Sequence, residues 1–294
     1  MELTVQNLSK TYANGVQALR DVSLRIGPGM FGLLGPNGAG KSTLMRTIAT
    51  LQEPDSGEVR FGDLDISAEK QRLRRVLGYL PQEFGVYPRT SAVDLLDHFA
   101  RLKGLIDARN RRHTVDRILV LTNLYADRKR ALGSFSGGMK QLFGIAQAML
   151  GDPSLLIVDE PTAGLDPEER ARFHNVLSEI GEERVVILST HIVSDISDLC
   201  TDMAVIHEGR VMFHGKPEQA QALLSGRIWR RSISRDAVES CRKKFRVVST
   251  NLRAGKIQMR VYGDTLPEKG FDSATPTIKD VYFSTIRGYL EGAA

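Results

Sequence analysis

The sequence has only two cysteines and no long apolar run. Cys200 and Cys241 are too few to form a disulfide framework or a thiolate metal cluster, so we expect both to be ordinary buried or half-buried side chains. A membrane-spanning helix needs roughly 18 consecutive apolar residues, and no stretch of the sequence approaches this. The first ten residues, MELTVQNLSK, also lack the basic start and apolar middle of a secretory signal. We therefore expect a protein of the reducing cytoplasm that reaches a membrane only through a partner.

The length and composition indicate a soluble protein with more than one domain. Hydrophobic residues make up 41% of the sequence and charged residues 26%, which is ordinary for a globular protein. A chain of 294 residues exceeds the usual size of one domain and can bury a large core. We expect one sizeable domain and a smaller one.

A glycine-rich segment at residues 35–43, GPNGAGKST, is the strongest local signal in the sequence. The apolar residues 31–34 before it predict a buried strand, and Leu44, Ile48 and Leu51 after it recur at helical spacing. In the order strand, loop, helix, the backbone N–H groups of the loop and the N-terminus of the helix converge on one anion. The segment therefore predicts a polyphosphate site, against the alternative of a flexible surface loop.

The residue types of this segment assign roles within the predicted site. Lys41 is expected to reach the β- and γ-phosphates of a nucleotide, and Ser42 to ligate Mg²⁺. Glycines let the loop wrap the anion without colliding Cβ atoms. The predicted binding residues are Gly35, Pro36, Asn37, Gly38, Ala39, Gly40, Lys41, Ser42 and Thr43.

A pair of acidic residues follows an apolar run at residues 155–158. Such a run suits a buried parallel strand, whose C-terminal end lies at the nucleotide crevice of an α/β sheet. Asp159 can then help to hold Mg²⁺, and Glu160 can orient or deprotonate an attacking water. The alternative is two solvated acids at the end of a strand.

A third motif, FSGGMKQ at residues 135–141, opens a segment whose apolar residues fall on one helical face. Ser136 is an N-cap candidate for this helix. Together with GPNGAGKST, Gln82, LLIVDEP, AGLDP and STH, in this order, the motif resembles the ATP-binding cassette of ABC transporters. The resemblance covers about residues 1–220.

The resemblance implies the fold and the catalytic residues. The implied fold is α/β, the P-loop NTPase fold of ABC ATPases, with an antiparallel β subdomain and an α-helical subdomain at about residues 88–150. Gln82 resembles the glutamine that senses Mg²⁺ and the lytic water, and His191 the switch histidine that contacts the γ-phosphate. Tyr12 resembles the aromatic residue on which adenine stacks. Without the family context, these would be a surface glutamine, a polar strand end and a half-buried tyrosine.

The resemblance also implies a dimer in which two ATP molecules are sandwiched between two ATP-binding subunits, identical or closely related. The signature residues Ser136, Gly137 and Gly138 would then face the γ-phosphate held by the other subunit. Asp166 would lie in the loop between the two sites, and a helix is expected to start near Pro167. The signature departs from the commonest form, LSGGQ, at two positions, but the phosphate-facing serine and glycines are intact.

The remainder of the chain forms a predicted accessory domain, residues 221–294, after a cassette of residues 1–220. Residues 225–294 contain 14 Lys or Arg and 7 Asp or Glu, so the basic excess of the chain lies there. Apolar alternation predicts strands at residues 228–233, 245–249 and 257–262, with helices from Asp236 and Thr277, which together make a small α+β appendix. A solvated face explains the basic charge better than binding to phospholipid headgroups or nucleic acid.

The end of this appendix, PTIKDVYF at residues 276–283, is similar to the close of cassettes from an exporter subfamily with a separate six-helix permease. The implied partners are that permease, a second ATP-binding subunit and, through the permease, the inner face of the cell membrane. The alternative is a soluble ABC ATPase acting on ribosomes or nucleic acid. The presence of one phosphate loop, and a separation of only 95 positions between Lys41 and Ser136, argue against it.

The segment directly after Gln82 carries three large apolar residues, Phe84, Val86 and Tyr87. Apolar side chains in a loop either fold back into the core or meet a partner. In the resembled family a short cytoplasmic helix of the permease docks in the groove beside this segment. We therefore favour docking over core packing for these residues.

Overall fold

The computed structural model describes residues 1–253 and 255–290. The predicted accessory domain at 221–294 thus includes five residues, 254 and 291–294, that lie outside the described part of the chain. The strands are β1 (Leu3–Thr11), β2 (Gln17–Ile26), β3 (Gly29–Leu34), β4 (Ser56–Phe61), β5 (Leu64–Asp65), β6 (Leu77–Leu80), β7 (Leu155–Asp159), β8 (Val185–Thr190), β9 (Asp202–His207), β10 (Arg210–Gly215), β11 (Ile228–Ile233), β12 (Arg246–Arg253), β13 (Lys256–Tyr262) and β14 (Asp272–Ser273).

Helices alternate with these strands along the first two thirds of the chain. They are α1 (Lys41–Ile48), α2 (Lys70–Val76), α3 (Ala92–Leu102), α4 (Ala108–Leu121), α5 (Gly137–Ala148), α6 (Pro167–Gly181), α7 (Val193–Leu199), α8 (Pro217–Ala222), α9 (Val238–Lys244) and α10 (Ile278–Ile286), with a 3₁₀ turn at Leu132–Ser134. None of the helices in the described ranges is both long enough and apolar enough to cross a membrane.

A central sheet in the order β10-β9-β3-β8-β7-β6 carries the predicted site. Neighbouring strands from β9 to β6 run parallel, and β10 joins the edge antiparallel. All five residues of β7 are buried, as the apolar run at 155–158 predicts for a parallel strand covered on both faces. The carboxyl ends of β3, β7 and β8 therefore meet at one edge of the sheet.

An antiparallel sheet, in the order β2-β1-β4-β5, covers one face of the central sheet. Its inward side chains share a core with α1 and with alternate residues of the central strands, such as Phe31, Ile157 and Ile187. The other residues of those strands, such as Leu156 and Leu188, belong to a second core with α3, α4 and α5. This alternation follows from the period of two along each strand.

The first helix ends earlier than its apolar spacing predicts. Leu44 and Ile48 are buried, but α1 stops at Ile48 and Thr50 has a positive φ of 58°. Leu51 lies beyond the helix and is 60% exposed, so its predicted place on the buried helical face is wrong. The left-handed backbone at Thr50 turns the chain away before another turn of helix can form.

The C-terminal elements form a third, antiparallel sheet in the order β12-β13-β11-β14. The predicted strands are present, and Thr277 caps α10 as expected for a helix that starts there, whereas α9 begins at Val238, two residues after the predicted start. One face of this sheet forms a small core with α9. Residues of the other face, such as Val248, join α10 in the large core that also holds α5 and α7.

A buried ion pair ties α10 to this sheet. Asp280 is 1% exposed and accepts hydrogen bonds from Arg260 Nε at 2.8 Å and Nη2 at 2.7 Å. Its Oδ2 also accepts from the backbone N–H of Thr277 at 2.9 Å and from Thr277 Oγ1 at 2.7 Å. These bonds fix the start of α10 to β13 and close the capping box of the helix.

We predict that Asp280→Asn lowers the free energy of unfolding by about 3–5 kcal/mol, because the variant leaves the Arg260 guanidinium with no carboxylate partner. Chemical denaturation of the purified chain measures this loss. Glu268→Gln, which removes the carboxylate of the exposed Lys244–Glu268 pair, is the control and should unfold almost like the wild type. Equal stability of the two variants would contradict the role of the buried pair.

Candidate functional site

The predicted phosphate loop lies between β3 and α1, and two of its glycines adopt backbone conformations that other residues rarely reach. Gly38 has a φ of +80° and Gly40 a φ of +108°. A Cβ atom on Gly40 would lie 2.4 Å from the carbonyl oxygen of Ala18. Both the backbone angle and this contact therefore require glycine at position 40.

Lys41, the first residue of α1, is buried beneath this loop with 4% of its surface exposed. Its Nζ donates to the carbonyl oxygens of Gly35 at 2.8 Å and Pro36 at 3.2 Å. The same Nζ lies 3.2 Å from Glu160 Oε1. The predicted phosphate-binding lysine and the predicted general base thus form an ion pair with little access to water.

Glu160 stands at the end of β7 in a left-handed conformation, with a φ of +46°. Its backbone nitrogen lies 3.1 Å from the carbonyl oxygen of Ser189 and 3.2 Å from Ser189 Oγ. Ser189 Oγ in turn donates to Asp159 Oδ1 at 2.5 Å. The serine of the STH motif therefore positions both acidic residues, although the motif itself gives no sign of this role.

His191 follows β8 and reaches the same carboxylate from the other side. Its Nδ1 lies 3.0 Å from Glu160 Oε2, and its side chain is 45% exposed. A carboxylate oxygen only accepts hydrogen bonds, so Nδ1 is the ring nitrogen of His191 that donates this bond. The structure thus brings Lys41, Glu160 and His191 together.

A cleft of about 380 Å³ opens beside the phosphate loop. Tyr12 and Gln82, predicted from the family resemblance, both line it. The hydroxyl of Tyr12 lies 3.1 Å from Thr43 Oγ1 and donates to Gln52 Oε1 at 3.1 Å, which places the ring beside the loop. The lining consists of Tyr12, Val16, Ala18, Asn37, Gly38, Gly40, Lys41, Ser42, Thr43, Gln82 and Glu160.

The signature residues are not part of this lining. Ser136 caps α5 as predicted, accepting from Met139 N at 3.2 Å, and its Oγ donates to Glu169 Oε1 at 2.7 Å. A Cβ on Gly138 would lie 2.5 Å from Glu169 Cδ, so the glycine allows this close approach. The contact with Glu169 of α6 had no signal in the sequence, because the two residues are 33 positions apart.

Asp166 is the N-cap of α6, and Pro167 is the first residue of the helix, as expected from the sequence. Asp166 Oδ1 accepts from the backbone N–H of Glu169 at 2.8 Å. The same residue, Glu169, therefore connects the start of α6 to the signature helix. The predicted role of Asp166 between two subunits stays a prediction.

The residues of the cleft fit a nucleotide with Mg²⁺. The left-handed glycines and the N-terminus of α1 present backbone N–H groups to an anion, and Lys41 adds a positive charge. Ser42 and Gln82 in the cleft, and Asp159 buried at the end of β7, carry oxygen atoms, the ligands that Mg²⁺ prefers. Within residues 1–253 and 255–290, no cluster of three or more His, Cys, Asp or Glu could hold a metal ion without help. Phosphate oxygens and water would therefore complete the coordination.

The comparisons with known sequences agree with this geometry. A family model described as ABC transporter matches residues 19–163. The ATP-binding protein NatA of Bacillus subtilis (strain 168) is 37% identical over 209 residues, which cover 69% of this chain and 83% of NatA. The probable multidrug ABC transporter ATP-binding protein YbhF of Escherichia coli (strain K12) is 31% identical over 274 residues, 87% of this chain. The chain spans only 47% of the length of YbhF.

Solved structures show the same fold. The dimeric structure of MJ0796, a bacterial ABC transporter cassette, superposes with a TM-score of 0.65 at 27% identity over 73% of this chain and 98% of the cassette. A second structure of MJ0796, described as dimeric and post-hydrolysis with ADP and Pi bound, gives a TM-score of 0.64 at 27% identity, with the same coverage of both chains. The fold class predicted from the sequence is confirmed, and the chain belongs to the ABC transporter family.

Proposed function

We propose that this chain binds and hydrolyses ATP and so powers an ABC transporter, with an exporter as the favoured direction. The observation that carries the proposal is the arrangement around Glu160, whose two carboxylate oxygens face Lys41 Nζ at 3.2 Å and His191 Nδ1 at 3.0 Å. A lysine, a candidate general base and a histidine meet beside a glycine loop, and such groups can bind phosphates and position an attacking water.

In the proposed reaction, water attacks the γ-phosphorus of ATP and the bond from that phosphorus to the bridging oxygen breaks, giving ADP and phosphate. The loop N–H groups and Lys41 bind the phosphates. Glu160 orients the water and takes its proton, and His191 contacts the γ-phosphate. Mg²⁺, held with the help of Ser42, Gln82 and Asp159, supplies neutralising charge when bound. Tyr12 stacks on the adenine.

The complete site requires a second ATP-binding subunit. Ser136 and Gly137 lie outside the cleft that holds Lys41, and they form the exposed N-terminal end of α5. A helix N-terminus stabilises negative charge, which suits the γ-phosphate of an ATP held by another subunit. The dimeric form described for MJ0796 supports this arrangement. Asp166, at the start of α6, would then lie between the two sites.

The proposed permease contact is a groove of about 880 Å³, lined by residues of α2 and β6 and of the C-terminal ends of α3 and α5. Leu51 is 60% exposed and Leu102 72% exposed at its rim, an apolar surface that is unfavourable in water. Lys103 also lines the groove, and burial lowers the pKa of its amine. A short amphipathic helix of an integral membrane permease fits such a surface. The chain would thereby be held at the inner face of the cell membrane.

Two of the three apolar residues after Gln82 face the core and not this contact, contrary to the sequence prediction. Phe84 and Val86 are half-buried and pack against the large core, and a Cβ on Gly144 of α5 would lie 2.7 Å from Phe84 Cζ. Core packing, the alternative for these residues, therefore describes Phe84 and Val86 better than docking does. Tyr87 is 64% exposed and remains available for a partner.

We predict that Glu160→Gln keeps ATP binding but slows hydrolysis at least about 10²-fold, because the amide cannot take a proton from water. Phosphate release measured with the permease, and gel filtration with ATP, should show slow turnover and an accumulated ATP-bound dimer. Glu183→Gln, which changes an exposed glutamate, is the control and should turn over normally. Near-normal hydrolysis by the Glu160 variant would rule out its assigned role.

We predict that Ser136→Arg and Lys41→Ala each abolish hydrolysis alone but restore it when the two chains are mixed. A mixed dimer has one intact composite site, formed by Lys41 of the first chain and Ser136 of the second. The isolated Ser136 variant should still bind ATP, whereas the Lys41 variant should bind it weakly because a charge on the phosphates is lost. Loss of ATP binding by the Ser136 variant, or an inactive mixture, would refute the shared site.

We predict that Leu51→Ser with Leu102→Ser releases the chain from membranes while its melting temperature and ATP affinity stay unchanged, since both side chains are largely exposed. Sedimentation of cell extracts, followed by immunodetection in membrane, ribosome and soluble fractions, measures the distribution. Val120→Ser, on a helix face outside the groove and 59% exposed, is the matched control. A wild-type chain found with ribosomes instead of membranes would favour the ribosomal alternative.

A further inference from the structure

A fully buried carboxylate joins three segments around the cleft, although it lies outside the set of predicted catalytic residues. Asp195, in the first turn of α7, has 0% of its surface exposed. Its Oδ2 accepts from Thr162 Oγ1 and from Thr190 Oγ1, both at 2.8 Å. Its Oδ1 accepts from Arg170 Nε at 2.9 Å and lies 2.9 Å from His174 Nε2. Both oxygens are therefore fully used by partners from three different segments.

The charge on this carboxylate follows from its partners. Burial alone would raise the pKa of Asp195, but hydrogen bonds from His174, Thr162, Thr190 and Arg170 outweigh the burial and hold the pKa below its usual value. The group is thus ionised at neutral pH and only accepts hydrogen bonds, so Nε2 of His174 carries a hydrogen. An ionised, fully buried carboxylate with this many donors fixes the geometry of its neighbours.

The first of these segments is the turn that carries His191. Thr190 Oγ1 donates to Asp195 and also accepts from the backbone N–H of Ile192 at 2.9 Å. The residues on both sides of His191 are therefore held by one hydroxyl, which Asp195 orients. Because the histidine side chain itself is 45% exposed, its position depends strongly on this backbone turn.

The second segment is the loop that follows Glu160. Thr162 lies two residues after Glu160 and is 2% exposed. Glu160 has a φ of +46°, and a residue that is not glycine keeps such a conformation only when its surroundings impose it. The bond from Thr162 to Asp195 anchors the chain immediately after this strained residue.

The third segment is α6. Arg170 and His174, one turn apart, reach Asp195 from this helix, and Arg170 Nη2 also donates to Ser194 Oγ at 2.6 Å. The neighbouring residue Glu169 binds the signature serine. One helix therefore contacts both Asp195 and the N-terminus of α5.

We propose that Asp195 is a positioning residue for ATP hydrolysis, which locks the His191 turn and the Glu160 loop in one arrangement and ties both to α6. The inference rests on the proposed function of the cleft. Asp195 touches neither the nucleotide cleft nor the two catalytic side chains, so it acts through Thr162 and Thr190.

The first test compares Asp195→Asn with Asp280→Asn. Both variants remove the charge of a buried aspartate that binds an arginine and a threonine, but Asp280 belongs to none of the three segments. With both chains folded, Asp195→Asn should lower kcat on the order of 10- to 100-fold, because it weakens hydrogen bonds that hold the catalytic residues from behind. The ATP dissociation constant should stay unchanged. Asp280→Asn should leave kcat unchanged.

A second readout needs no nucleotide. Hydrogen–deuterium exchange of the nucleotide-free chain should become faster in Asp195→Asn at residues 160–165 and 189–193, and not in Asp280→Asn. Equal losses of kcat in both variants, or faster exchange over the whole chain, would mean that Asp195 contributes only to stability. Either result would overturn the inference.

A double-mutant cycle keeps the inference testable if Asp195→Asn does not fold. Thr162→Val and Thr190→Val each remove one hydroxyl that donates to Asp195, and each keeps the shape of the threonine side chain. Because both hydroxyls act through one carboxylate, the loss of kcat in the double variant should be smaller than the product of the single losses. Independent effects would overturn the shared link. A wild-type chain that hydrolyses no ATP would instead refute the proposed function, while the exchange measurement would still report on the link.

Discussion

Parallel pairing of β8 between β3 and β7 is the constraint on which the site depends. In this register Leu34 pairs with Thr190, and Asp159 pairs with Ser189. The glycine loop, the acidic pair and His191 are far apart in sequence, yet each begins where one of these three strands ends. A shift of one residue in the pairing would turn buried side chains to the wrong face and separate these groups.

The same edge of the sheet contains interactions that are unfavourable to the free energy of folding and that the rest of the fold has to offset. Lys41 and Glu160 are an ion pair in a nearly dry environment, where removing each charge from water costs several kcal/mol. The two carbonyl oxygens of the loop and the ring of His191 supply the additional hydrogen bonds that such a pair needs. The left-handed backbone of Glu160 adds strain at the same point. Strain and buried charge thus coincide at the residue that is proposed to activate water.

Local features of this structure could be predicted from the sequence, because short segments determine them. The strands before the phosphate loop and before Asp159, the cap at Ser136 and the helix start at Pro167 all follow from spacing and from the chemistry of a few adjacent residues. The end of α1 could not be predicted, because the left-handed turn at Thr50 interrupts a spacing that continues to Leu51.

Contacts between distant segments could not be predicted from the sequence either. The bonds of Asp195 and the contact between Ser136 and Glu169 join residues 5 to 33 positions apart, and most of them form only after the central sheet has assembled. Polar residues such as Thr162 and His174 have no local pattern that marks them as buried partners. Likewise, Phe84 and Val86 lie in a loop, and only the packing of α5 shows that they point inward.

The position of α10 has a consequence for how the protein is made. Ile278, Val281 and Tyr282 fill the same hydrophobic core as Ile196 of α7 and Phe143 of α5, although some 80 residues or more separate them along the chain. During synthesis, the segments that carry the signature and the switch histidine leave the ribosome while this part of their core is still absent. The apolar surface that α10 will cover is then exposed to solvent. The core shared by α5, α7 and α10 can therefore complete its packing only when residues 278–286 have emerged.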